Sequence, residues 1–186
     1  MGNFYTNFAV HRAEQSDVLK ALSKRSAFVS PSVNGTVVVF DEKSDEQDTD
    51  IISTLASDLS VRCDCSVLAV MNHDDDVLWY QLYTSGNLID EYSSCPGYFS
   101  DDEEGDLPSG GNVAALASAF GSTNVADVEH ALRAINDEFT FAIERHQALA
   151  QALGLPSFVV GGGFAYISDG EFPDSLASDD LVRTPV

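Results

Sequence analysis

His73, Asp74, Asp75 and Asp76 set an imidazole beside three carboxylates on consecutive positions. Hard cations such as Mg²⁺, Mn²⁺ and Ca²⁺ seek oxygen ligands. A divalent cation on His73, Asp74 and Asp76 would acidify a bound water and support hydrolysis, with one carboxylate as base. A plainer reading is a tight turn, because Asn and Asp tolerate turn geometry and bond their own backbone. Three consecutive side chains diverge, so a metal centre here needs carboxylates from Asp41 to Asp50 or from Asp101 to Asp106.

Asp101, Asp102, Glu103, Glu104 and Asp106 form a denser acidic run around Gly105. The run fails the EF-hand spacing, because its glycine falls fifth and no Glu stands at position 12. Such a cluster is ordinarily a solvated segment. It also suits a basic partner, because Tyr98 and Phe99 precede it and aromatics beside charge are a common interface mixture. The expected partner-binding set is therefore Tyr98, Phe99, Asp101, Asp102, Glu103, Glu104 and Asp106.

Cys63, Cys65, Cys95 and His73 would supply a tetrahedral zinc set by number, but the spacing is not that of a usual zinc motif. Free cysteine is also among the most buried residue types. Three cysteines suggest no disulfide framework, which favours a reducing, cytoplasmic setting. His146 falls on the apolar stripe of a helix and reads as a core histidine bonded to a neighbour. His11 and His130 have no evident nucleophile beside them, and no G-x-S-x-G elbow is present. No catalytic residue can be assigned. Gly161-Gly162-Gly163 lacks the setting of a phosphate loop, so a bulge or a close backbone approach is expected there.

The formal charge is −21, from 30 Asp and Glu against nine Lys and Arg. Phosphate-backbone binding needs clustered cations, so nucleic acid is not an expected partner. The acid fits either a basic protein partner or a surface adapted to salt. No stretch approaches the roughly 20 apolar residues of a membrane span. Met1-Gly2-Asn3-Phe4-Tyr5-Thr6 has the spacing of a myristoylation signal, but it also alternates as a buried first strand should, and no basic patch follows.

These groups must be positioned by an α+β scaffold. The first strand leads to a helix capped by Ser16 and carrying Val18, Leu19 and Leu22. Asn34-Gly35 predicts a type I′ hairpin turn before the β-branched run Thr36 to Phe40. Asp48 or Thr49 caps a helix with the stripe Ile51, Ile52, Leu55 and Leu59. Strands follow over 66–71, 77–83 and 88–92. The order implies a ferredoxin-like βαββαβ core extended by a β-meander, with a C-terminal helical segment and a final strand.

One domain is expected over 1–186, with a sheet-rich core over 1–92 and an acidic loop over 93–111. A helical extension and last strand should occupy 112–168, with helices over 112–120, 125–135 and 137–153. The last strand should lie over 157–160 and 164–167, and a loose tail over 169–186. The function expected on these grounds is a small non-enzymatic, immunity-like or regulatory module engaging a basic protein. The alternative is a metal-dependent hydrolase using the His73–Asp76 turn. Oligomeric state is left open.

Overall fold

Runs of β-branched and aromatic residues separated by tight turns build the sheet. Its strands are β1 (Tyr5–His11), β2 (Ala27–Val29), β3 (Thr36–Asp41), β4 (Ser66–His73), β5 (Val77–Thr84), β6 (Asn87–Ser93), β7 (Ser109–Gly110) and β8 (Val182–Arg183). In the computed structural model, which describes residues 2–99, 107–135 and 138–184, they form one antiparallel sheet. The order across it is β7-β6-β5-β4-β1-β3-β2-β8. The helices among the described residues are α1 (Gln15–Ala21), α2 (Thr49–Arg62), α3 (Val113–Phe120), α4 (Val125–Arg133), α5 (Ala142–Leu153) and α6 (Phe164–Ser168). The fold is thus mixed α+β, with an eight-stranded sheet and six helices.

Both faces of the sheet are covered, which explains why the central strands are apolar nearly throughout. Val37 and Val39 of β3 face a layer made by Val18 of α1, Leu22 just after it, and Ile52, Leu55 and Leu59 of α2. Val38 and Phe40 face the opposite layer, with Leu116, Leu132, Leu149 and Leu153 of the C-terminal helices. Period-two alternation sorts each strand between the two cores. Tight hairpins set the register. Asn34 and Gly35 have φ of 52° and 73°, as the type I′ expectation requires.

Helix ends follow side-chain chemistry in part. The Asp48 carboxylate accepts from the Asp50 and Ile51 amides at the start of α2, and Asn112 accepts from the Ala115 amide at the start of α3. Gly121 and Gly154 end α3 and α5 in the left-handed conformation. Ser16 does not cap α1; that helix begins after Glu14, with no side-chain cap. α4 ends at Arg133, and α5 starts at Ala142 rather than near 137.

The expected last strand over 157–160 and 164–167 is corrected. Ser157–Val159 is a 3-10 turn and Phe164–Ser168 is α6. This segment lies across the sheet face, not along an edge, so its backbone must close local bonds. The Ile167 amide accordingly donates to the Gly163 carbonyl at 3.2 Å. The expected close approach at the glycine run is present. A Cβ on Gly162 would meet Phe40 Cε1 at 2.6 Å and one on Gly163 would meet Tyr5 Cβ at 2.8 Å. The expected loose tail is corrected as well. β8 pairs with β2, and the Thr184 amide donates to the Ala27 carbonyl at 2.9 Å.

His146 is a buried histidine, as its position on the apolar stripe implies. Its Nδ1 lies 2.8 Å from the Tyr5 hydroxyl, its Nε2 has no partner, and burial pushes its pKa down from 6.5 to about 3. The folded state therefore holds His146 neutral where the unfolded chain protonates it. Its stabilisation is complete above about pH 6.5 and is lost as pH falls toward 3, at roughly 1.4 kcal/mol per pH unit. Urea unfolding of wild type and His146→Phe between about pH 7 and 4 should show the variant with the shallower acid loss of stability, and the difference removes the contribution of the surface acids. Gly162→Ala should cost about 1–3 kcal/mol in the same assay, because rigid atoms of Phe40 and the Phe158 carbonyl occupy the Cβ position.

Candidate functional site

The turn between β4 and β5 is rigid for local reasons. Asp74 and Asp75 take positive φ of 54° and 61°, and the Asp76 amide donates to the His73 carbonyl at 3.0 Å. The Asn72 side chain holds the loop from within. Its Nδ2 donates to Asp75 Oδ1 at 3.0 Å and its Oδ1 accepts from the Asp75 amide at 3.1 Å.

The three carboxylates serve different donors. Asp74 Oδ1 accepts from the Gly2 amide at 2.8 Å, Asp75 Oδ2 from Asn3 Nδ2 at 2.6 Å, and Asp76 Oδ2 from the Tyr98 hydroxyl at 2.9 Å. That last bond raises the Tyr98 phenol above its ordinary pKa. Among the described residues no group of three or more His, Cys, Asp or Glu side chains is placed to hold a metal ion. The zinc set does not assemble. Cys63 and Cys65 precede β4 while His73 ends it, and eight extended residues span roughly 25 Å.

His73 is clamped between a polar bond and three rings. Gln47 Nε2 donates to the Asn72 carbonyl at 2.7 Å, which fixes the amide orientation and leaves Oε1 toward His73. His73 Nδ1 therefore carries the proton donated to that oxygen, at 2.6 Å. Phe4, Tyr98 and Phe99 meet the imidazole edge-on, with centroids 4.9, 5.7 and 4.9 Å away. Tyr98 and Phe99 lie on a 3-10 turn, Pro96–Phe99. Phe99 is 63% exposed and Tyr98 41%. Asp101, Asp102, Glu103, Glu104 and Asp106 lie outside the described residues.

Phe99 overhangs an open groove. One half, about 400 Å³, has Met71, Val77 and Trp79 in its lining and Glu91 beside them. The other half, about 410 Å³, is lined by Phe4, Asp45, Glu46 and His73, and shares Thr49, Met71 and Phe99 with the first. The groove exists because α2 starts at Thr49 and leaves the adjoining ends of β4, β5 and β6 uncovered on that face. Glu46, Asp48, Asp50, Asp76 and Glu91, all exposed, stand on the elements around this end. A separate cleft along α2 is lined by Lys24, Arg25, Asp58 and Arg62, and Arg25 is paired there with Asp41 at 2.6 Å.

Asp45 is the acid that the groove does not leave to solvent. Its carboxylate accepts from the Thr6 amide at 3.1 Å and the Ala165 amide at 2.7 Å, joining β1 to the start of α6. Burial is the main cause of its raised pKa, which those amide bonds oppose.

Sequence reasoning brought His73, Tyr98 and Phe99 into view, and the structure places them together. It missed Phe4, Gln47, Met71, Trp79 and Glu91. The run Val77 to Tyr80 is apolar at every position, so no alternation marked which side chain lacked a cover. No protein family matches the chain, and no curated protein or solved structure matches it either. Among the described residues no helix is long and apolar enough to cross a membrane.

Asn72→Ala should lower stability by about 1–3 kcal/mol, because it strips Asp75 of two bonds and leaves buried polar atoms unpaired. Hydrogen exchange would show faster opening at the Asp75 and Asp76 amides than elsewhere in the sheet.

Proposed function

We propose that this protein is a non-enzymatic binding module that takes a basic segment of a partner protein into the groove beside Phe99. The observation that carries the reading is an apolar floor with exposed aromatics, bordered by exposed acids, in a chain bearing −21. Charge complementarity selects the occupant. Lys and Arg of the partner would meet Glu46, Glu91 and Asp76, while an apolar side chain between them would sit on Met71 and Trp79. A field of this sign speeds encounter with a cationic surface and weakens as salt rises. Buried aromatic anchors in such contacts carry most of the affinity. A regulatory or immunity-like role is the corresponding biological class.

As for the scaffold, we read the first six elements as a split βαβ unit of ferredoxin-like type. The order β4-β1-β3-β2 supports this, with α1 and α2 on one face.

The chain has one tryptophan, and it lines the groove. Trp79 fluorescence therefore reports occupancy directly. A Lys- and Arg-rich peptide carrying one Phe or Leu should give a saturable change that weakens with salt. Phe99→Ala should reduce its affinity by about 1–2 kcal/mol. An equal response to the same peptide without its apolar residue, or to an acidic peptide, would rule the reading out. Saturable binding of Mn²⁺ or Mg²⁺ at constant ionic strength, lost in Asp74→Ala with Asp76→Ala, would instead favour the hydrolase alternative on His73, Asp74 and Asp76.

A further inference from the structure

The half of the groove that holds Trp79 combines apolar walls with one fixed charge. Met71 and Val77 lie in its lining with the rings of Trp79 and Phe99. Among the described residues Glu91 is its one carboxylate, and the other polar side chains there are hydroxyls. Hydrogen bonds hold that carboxylate against the indole. Trp79 Nε1 donates to Glu91 Oε1 at 3.3 Å, and Gln81 Nε2 donates to the same oxygen at 3.0 Å. Gln81 is itself locked, because its Oε1 accepts from Ser53 Oγ at 2.7 Å and from the Tyr83 hydroxyl at 3.0 Å. Ser53 belongs to α2, so the helix fixes the acid through Gln81.

An indole N–H lies in the ring plane, so this bond sets the carboxylate at the edge of the ring. A cation above the ring face then meets both the π surface and a fixed negative charge. Among the described residues Glu91 Oε2 has no partner and keeps its acceptor capacity. Phe99 is positioned by edge contacts with His73 and Tyr98, at 4.9 and 5.0 Å between centroids, and makes no ring contact with Trp79. The two rings are thus separate walls of one cavity of about 400 Å³.

The kind of cation follows from counting donors. A primary ammonium brings three N–H donors and a guanidinium five. Each donor left unmet in an apolar site loses hydration without return. Here one carboxylate is available, and one of its oxygens already serves two donors. A trimethylammonium group brings a full positive charge, no donor, and three methyl groups that cover apolar surface. We propose, on the reading of the groove as the site for a basic segment, that its Trp79 half takes a trimethylated lysine of that segment. Trp79 and Phe99 are the aromatic walls and Glu91 the counter-charge. The trimethylated lysine is then the side chain that sits on Met71 and Trp79. The unmodified Lys and Arg of the segment meet Glu46 and Asp76, both exposed, where water completes their hydrogen bonds.

Anisotropy of four dye-labelled peptides tests this. All share one Lys- and Arg-rich sequence, and the central residue is Leu, Lys, trimethyl-lysine, or a neutral isostere with carbon in place of the quaternary nitrogen. The trimethyl-lysine peptide should bind about five-fold or more tighter than the Lys peptide and the isostere. Trp79→Leu should abolish that preference while the Leu peptide still binds, which shows the variant folded. Glu91→Gln should cut the preference about three-fold. Equal affinity for trimethyl-lysine and the isostere would overturn the proposal and leave the groove reading intact, because apolar contact would then suffice. A preference unchanged in both variants would also overturn it. Failure of all four peptides would overturn both readings. Saturable binding of free choline with no response to any peptide would do the same, and assign the site to a small molecule.

Discussion

The structure depends on satisfying a polar strand buried at the centre of a sheet covered on both faces. β1 pairs along both its edges, with β3 and β4. Its side chains from Tyr5 to Val10 are buried, and three in succession are polar. Buried polar groups need partners inside the protein. Tyr5 reaches His146 of α5. Asn7 Nδ2 donates to the Val159 and Gly162 carbonyls at 2.7 and 2.8 Å. The Thr6 amide donates to Asp45. One strand thereby fixes α5, the glycine run and the loop before α2. The match is incomplete, because Thr6 Oγ1, Asn7 Oδ1 and His146 Nε2 lack partners. A layer of apolar helices could cover this face more cheaply, but it would not be held in one position. The bonds from β1 make the packing specific.

α2 decides where the groove opens. Fourteen residues of helix span about 21 Å. At the N-terminus the helix stops short of the sheet's edge and leaves Met71 and Trp79 under an open groove. At the C-terminus Asp64, with φ of 48°, closes the helix in a Schellman turn. Acids gather around the start of α2, where they also suit the positive end of the helix dipole.

The groove shows why a site can be half visible in sequence. Tyr98 and Phe99 announce themselves as aromatics beside acid. The His73–Asp76 turn announces itself as a cluster of potential ligands, yet its carboxylates are taken up by Gly2, Asn3, Asn72 and Tyr98. Two of these partners lie some seventy residues away. No local pattern could show that the N-terminal residues would reach this turn.

The sequence by itself determined the local elements wherever backbone stereochemistry or one side chain decides. Asn34-Gly35 made its turn, Asp48 and Asn112 capped their helices, and Gly121 and Gly154 ended theirs. Two-sided burial of β3 and β4 was legible in their unbroken apolar runs. Only the tertiary structure decided the rest. Residues 157–167 look extended by composition, but become a turn and a helix because they lie across a sheet face. The tail pairs with β2 because that strand presents an open edge. Left to local preference both segments are ambiguous, since apolar side chains are compatible with either helix or strand. What removes the ambiguity is the surface each segment must cover, and that surface exists only after the sheet has formed.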